Sequence, residues 1–170
     1  RVLAVFTLVV GVALSGVAPH ALPPVQNGSA AADSPDSAAY VAVTTGIIKV
    51  NASGSVLWNR SMPGDGKVYS IDKGPDNEYI YASVRNTTSV GTVVKVDTSS
   101  GDVVDKYTED SARVWGVEYV TGGSVFFGDS NGNVYKMSAT AFPSDGGATS
   151  LGSLSTDTIQ SVAEGPNSRI

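Results

Sequence analysis

Cysteine is absent from the 170 residues, and the one histidine is His20. The first absence rules out a disulfide, a thiolate zinc site, a thiol nucleophile and a lipid-modified N-terminal cysteine. The second excludes, by counting, a Ser-His-Asp triad or a multi-histidine metal site. Charge is sparse as well: 16% of residues are charged, with 11 Lys and Arg against 16 Asp and Glu, a net charge of -5. Binding to a phosphate backbone needs a cationic surface, so this balance argues against a nucleic-acid partner. Apolar stripes at i, i+3 and i+4, which stacked helical repeats require, are also missing from the recurring segments described below.

What is present points to strands. Hydrophobic residues make up 41% and glycine contributes 19 residues. Abundant Ser, Thr, Val and Asp beside these favour β-structure joined by tight turns. The run Val2 to Ala18 follows Arg1 and is apolar throughout. It has the length of a long signal-peptide core and is slightly short of the roughly 20 residues that span a bilayer. A Pro- and Ala/Ser-rich stretch follows. Residues 1–32 are therefore expected to form a hydrophobic helix and linker, serving as a signal peptide or membrane anchor. Residues 33–170 are expected to lie outside the cytoplasm, whether secreted, periplasmic, or on a cell or virion surface.

Three segments share a glycine, alternating apolar residues and a lysine: Gly46 to Val50, Gly91 to Val96 and Gly132 to Met137. Their lysines, Lys49, Lys95 and Lys136, are 46 and 41 positions apart. A second pair also recurs. Val68-Tyr69-Ser70-Ile71 leads to Gly74-Pro75, Ile159-Gln160-Ser161-Val162 leads to Gly165-Pro166, and Val114-Trp115-Gly116-Val117 stands between them. A period near 45 residues with several short strands per unit marks propeller blades. The expectation is an all-β fold of four-stranded antiparallel blades, in units of about 39–63, 67–108 and 113–156, with a fourth beginning at 158–170. The opening unit lacks a first strand. Two or three blades leave apolar end faces, so the ring is expected to be completed by further blades or by other chains. An unpaired inner edge on Tyr40 to Thr44 is the corresponding structural test.

The residues Gly123 to Met137 resemble the G-x-V-Y-V-G-x-x-D-G-x-V-Y-A-L pattern of PQQ-like β-propeller repeats. Val94 to Gly101 resembles its continuation, with one residue inserted, and Gly54 to Trp58 resembles its G-x-x-x-W ending. The resemblance covers about Tyr40 to Ile170. It implies that Trp58 docks between blades. It further implies a non-catalytic scaffold of the assembly-factor or surface type, because the adjacent cysteines that hold the quinone in the dehydrogenases are absent. Asp105 replaces the tryptophan in the second unit. WD and YVTN repeats have similar strands and stay open as alternatives.

Trp58, Trp115 and Tyr135, with Tyr69 and Tyr119, are expected in interblade packing, with the alternative that Trp115 faces a central channel. Four N-x-S/T sequons, at Asn27, Asn51, Asn59 and Asn86, are candidate glycosylation sites, although Asn and Ser also favour turns. Asp129 to Asn133 carries alternating oxygen side chains like the start of a calcium loop, but reads more simply as a hairpin turn. The repeated lysines are expected at solvated strand positions. No catalytic, cofactor or metal residue is assigned. The expected function is a non-enzymatic structural or protein-binding scaffold, with other protein chains or further blades as partners. A larger propeller enzyme, or a sugar- or metal-binding module with its site beyond residue 170, is the alternative. A tandem β-sandwich adhesin is a third.

Overall fold

The computed structural model describes residues 38–64, 66–85, 90–142 and 147–165. The hydrophobic N-terminal segment, Asn27 and Asn86 lie outside them. Every described residue belongs to one of two compact units, Ala32–Ile170.

Eleven strands form three antiparallel sheets with no helix among the described residues. Blade 1 contains β1 (Ala39–Val43), β2 (Gly46–Val50) and β3 (Val56–Ser61). Blade 2 contains β4 (Val68–Lys73), β5 (Tyr79–Arg85), β6 (Gly91–Asp97) and β7 (Val103–Glu109). Blade 3 contains β8 (Val114–Val120), β9 (Ser124–Asp129), β10 (Asn133–Ser138) and β11 (Thr149–Ser153). Each sheet is a simple meander in which sequence neighbours are also spatial neighbours. Valine, isoleucine and aromatic residues fill the strands, and their branched or flat side chains suit a pleated surface. The tight β4–β5 connection places Asn77 at φ 57°, a left-handed conformation that Asn tolerates better than most residues.

Alternation along a strand sends neighbouring residues into different cores. In β5 and β6, Tyr81 and Val93 join Val117, Val125 and Phe127 of blade 3 in one apolar cluster. Their sequence neighbours Ala82 and Val94 join Ile47, Trp58 and Met62 of blade 1 in another. Both faces of blade 2 are therefore buried, as happens when sheets are stacked in series. We call the face toward the next blade leading and the opposite face trailing. A two-sheet sandwich has one core between its sheets and does not produce this pattern.

Two sequence expectations need revision. The stretch from Ile159 to Val162 was expected to open a fourth blade as a strand, but residues 158–165 contain none. A strand is defined by its ladder, and this segment has no neighbouring strand among the described residues. It lies instead along blade 3, with the Ile159 amide donating to the Asp129 carbonyl at 3.0 Å. The repeated lysines are the second revision and are treated below. Blade 1 has three strands among the described residues: β1 pairs only with β2, and its other edge has no partner there.

Candidate functional site

The polar chemistry of the described residues concentrates where blades meet. Each repeated lysine stands opposite an aromatic residue on the leading face: Lys49 opposite Tyr40, Lys95 opposite Tyr81, and Lys136 opposite Phe126. Lys49 Nζ donates to the Thr98 carbonyl of blade 2 at 2.8 Å. Lys95 Nζ donates to the Ala139 carbonyl of blade 3 at 2.9 Å and sits 4.1 Å from the Tyr79 ring centre. Thr98 and Ala139 each follow their own blade's lysine by three positions. The lysines of blades 1 and 2 are thus half-buried interblade staples, not solvated positions. They looked solvated because alternation within one sheet does not reveal a second sheet packed on that face. Lys136, whose leading neighbour would be a fourth blade, is exposed, with Nζ 5.6 Å from the Phe126 ring.

Trp58 stands opposite Lys49 and is 8% exposed. Its indole Nε1 donates to the same Thr98 carbonyl at 3.0 Å, and its ring meets Tyr40 at 5.9 Å. The blade 2 turn that receives it is built around Asp97, whose Oδ1 accepts from the Ser99 amide at 2.8 Å, the Ser99 hydroxyl at 2.5 Å and the Ser100 amide at 2.9 Å. Those bonds, the Ser99 hydroxyl first, hold the Asp97 carboxyl below its ordinary pKa. Gly101 ends the turn at φ 78°, and a Cβ there would lie 2.8 Å from the Trp58 ring. Glycine is needed on both counts.

Trp115 lies on the innermost strand of blade 3, tilted against Tyr69 of blade 2 with ring centres 4.4 Å apart. Its carbonyl accepts from the Ser83 hydroxyl at 2.7 Å, while its buried indole Nε1 has no hydrogen-bond partner among the described residues. Tyr119 packs against Tyr81 at 5.8 Å, and its amide donates to Asp72 Oδ2 at 2.7 Å.

Tyr135 stacks on Phe127 with ring centres 4.9 Å apart and donates to Asp129 Oδ2 at 3.1 Å. Asp129 is fully buried. Its Oδ1 accepts from the Asn131 and Asn133 amides, both at 2.8 Å, and its Oδ2 also accepts from Asn133 Nδ2 at 2.9 Å. Both oxygens are committed to donors of the hairpin itself, which is the chemistry of a turn. Sequence reading identified the turn but did not identify Asp129 as the buried acceptor that organises it.

Burial raises the Tyr81 and Tyr135 phenols to about 12 and raises Tyr107 as well, with the Asp129 charge adding to the effect at Tyr135. The unfolded chain releases these protons near the ordinary tyrosine value of 10.0, whereas the folded protein holds them longer. Their contribution to stability is therefore full below pH about 10 and is lost as pH rises toward about 12. An alkaline titration should show the tyrosinate absorbance of these phenols rising only well above pH about 10, together with loss of β-sheet circular dichroism. A single wave near the ordinary tyrosine value in folded protein would contradict this assignment.

Of the sequons, Asn59 lies exposed on β3. Asn51 is half-buried in the β2–β3 turn, where its Oδ1 accepts from the Ser53 amide at 3.1 Å and the Ser55 amide at 2.8 Å. Among the described residues no group of three or more His, Cys, Asp or Glu side chains converges as a metal site would require.

Four-stranded meanders, stacked face to face with the first strand of each innermost, define a β-propeller, here with an open arc of blades. No family model matches the sequence, and no curated protein sequence matches it. Among solved structures, the chain is similar to BamB from Moraxella catarrhalis, with 18% identity over 61% of this chain and 31% of that chain, at a TM-score of 0.47. It is also similar to a Dos1 propeller, with 14% identity over 68% of this chain and 40% of that one, at a TM-score of 0.39. The chain spans less than half the length of either structure.

Proposed function

We propose that this chain is a non-enzymatic, protein-binding propeller scaffold of the PQQ-like repeat type, working outside the cytoplasm. The observation that carries the reading is the leading face of blade 3. There Phe126, Val134, Leu151, Leu154, Ile159 and Val162 line an apolar groove of about 580 Å³. Leu151 and Leu154 are 50% and 72% exposed. In the other two blades the corresponding face is covered by protein, so the chemistry favoured at this groove is another protein surface. The N-terminal apolar run and the Trp58–Gly101 docking agree with the extracytoplasmic and PQQ-like parts of the reading.

A photoreactive residue introduced at Leu154 tests the scaffold role in intact host cells. The expected result is a covalent adduct with a protein. Irradiation that yields no protein adduct, with the variant folded and abundant, would overturn it.

A further inference from the structure

A small cavity of about 160 Å³ opens between blades 2 and 3, at the end of the strands that carries the β4–β5 and β8–β9 turns. Its walls combine the phenols of Tyr79, Tyr81 and Tyr119 with the ammonium of Lys95 and the carboxylates of Asp76 and Glu78. From this combination we infer that the cavity is a binding site for a single neutral sugar ring. It lies on a different surface from the apolar groove of blade 3.

The blade repeat does not require this lining. Tyr79 stands two positions before the aromatic that faces its blade's lysine, and Ala38 and Ser124 hold that place in blades 1 and 3. Lys49 makes its interblade bond with only an alanine there. Tyr119 directly follows the residue opposite its blade's aromatic, where blade 2 has Lys73. The two carboxylates stand in the β4–β5 turn, whose counterpart in blade 3, Thr121-Gly122-Gly123, has no acid. Two aromatic rings and two acids that the architecture leaves free to vary thus meet in one cavity.

Charge decides the class of ligand. A cation would meet Lys95, whose Nζ already lies 4.1 Å from the Tyr79 ring centre. An anion would meet Asp76 and Glu78, both exposed on the turn. A neutral polyol incurs neither repulsion and uses every polar group. Its hydroxyls donate to the two carboxylates and accept from Lys95, which donates to the Ala139 carbonyl and has three N–H groups in all. They accept from the phenols as well. Burial, followed by the neighbouring Tyr119 and Tyr79 phenols, raises Tyr81 to about 12, so at neutral pH it is a donor. Tyrosine offers an apolar ring for the C–H face of a sugar and keeps a polar tip for its hydroxyls. The volume is below the roughly 300–1,000 Å³ of sites for drug-sized ligands, which limits the occupant to one ring.

Saturation-transfer NMR on the full chain tests this with D-galactose, D-mannose, N-acetyl-D-glucosamine and L-fucose as neutral probes, and with choline and D-glucuronate as charged ones. At least one neutral sugar is expected to give saturable transfer to its ring protons, with both charged probes weaker. Thr140→Trp, at an exposed position in the cavity wall, should fill the space and abolish the signal with unchanged circular dichroism. Glu78→Gln should weaken binding several-fold by removing a charged acceptor. No saturable binding of any of these neutral sugars would overturn the inference. Tighter binding of choline or glucuronate would also overturn it, as would sugar binding that Thr140→Trp and Glu78→Gln both leave unchanged.

Discussion

Trp58→Ala is expected to destabilise the protein by about 3–5 kcal/mol, the range for removing a buried aromatic side chain from a packed core. Three losses coincide. The indole fills the interface between blades 1 and 2, donates to the Thr98 carbonyl and packs against Tyr40. Lys49 Nζ remains on that carbonyl, so the acceptor keeps one partner. Stacked repeats are stabilised chiefly through their neighbour interfaces. The loss should therefore be local, with amide exchange rising in β1–β3 and unchanged in β8–β11. Trp58→Phe, which keeps most of the apolar contact and loses the donor, should cost only about 1–2 kcal/mol. Gly101→Ala attacks the same contact from the other side, through its φ of 78° and the Trp58 ring, and should cost about 1–3 kcal/mol. Chemical unfolding of the three variants measures all of this. Uniform exchange throughout the protein in Trp58→Ala would refute the interface role.

Asp129→Ala should have a comparable effect, on the order of 3 kcal/mol, for a different reason. Its carboxylate receives four donors, two of them backbone amides of the β9–β10 hairpin. Each buried donor left unpaired costs about 1–3 kcal/mol, reduced where water can reach it. Asp129→Asn keeps an acceptor for the two amides but places an NH₂ group where Asn133 Nδ2 and the Tyr135 hydroxyl now donate, so an intermediate loss is expected. A second readout separates this role from simple packing. The Asp129 charge helps to raise the Tyr135 phenol to about 12, so removing it should bring that phenol's titration back toward 10.0. An unchanged tyrosine titration in Asp129→Ala would contradict the pairing.

The periodicity of the fold was readable because Lys49, Lys95 and Lys136 recur with glycine-led apolar strands, and because turn residues separate those strands. The partners of those residues were less readable. A lysine at an alternating strand position carries the same sequence signal whether water or another blade covers its face. Only the stacked geometry, with Val93 and Val94 in different cores, shows that blade 2 has no solvent face. Gly116 and Gly128 carry no local signal of their role, which is to leave room for the Ser161 backbone and the Ile159 side chain respectively. Asp129 could be placed in a turn by its neighbours, but its complete burial and the donors that converge on its carboxylate show only in the folded hairpin.

The edge of β1 that has no partner among the described residues also bears on how the protein survives when overproduced. Its sequence, Ala39-Tyr40-Val41-Ala42-Val43, has no charge and no proline. Charged residues and proline are what natural edge strands use to discourage indiscriminate pairing. The outer strand β7 carries such gatekeepers in Asp105, Lys106 and Glu109. Until its inner edge is covered, β1 is a template for amyloid-like stacking. Solubility in a producing cell should therefore depend in part on how quickly that edge is occupied.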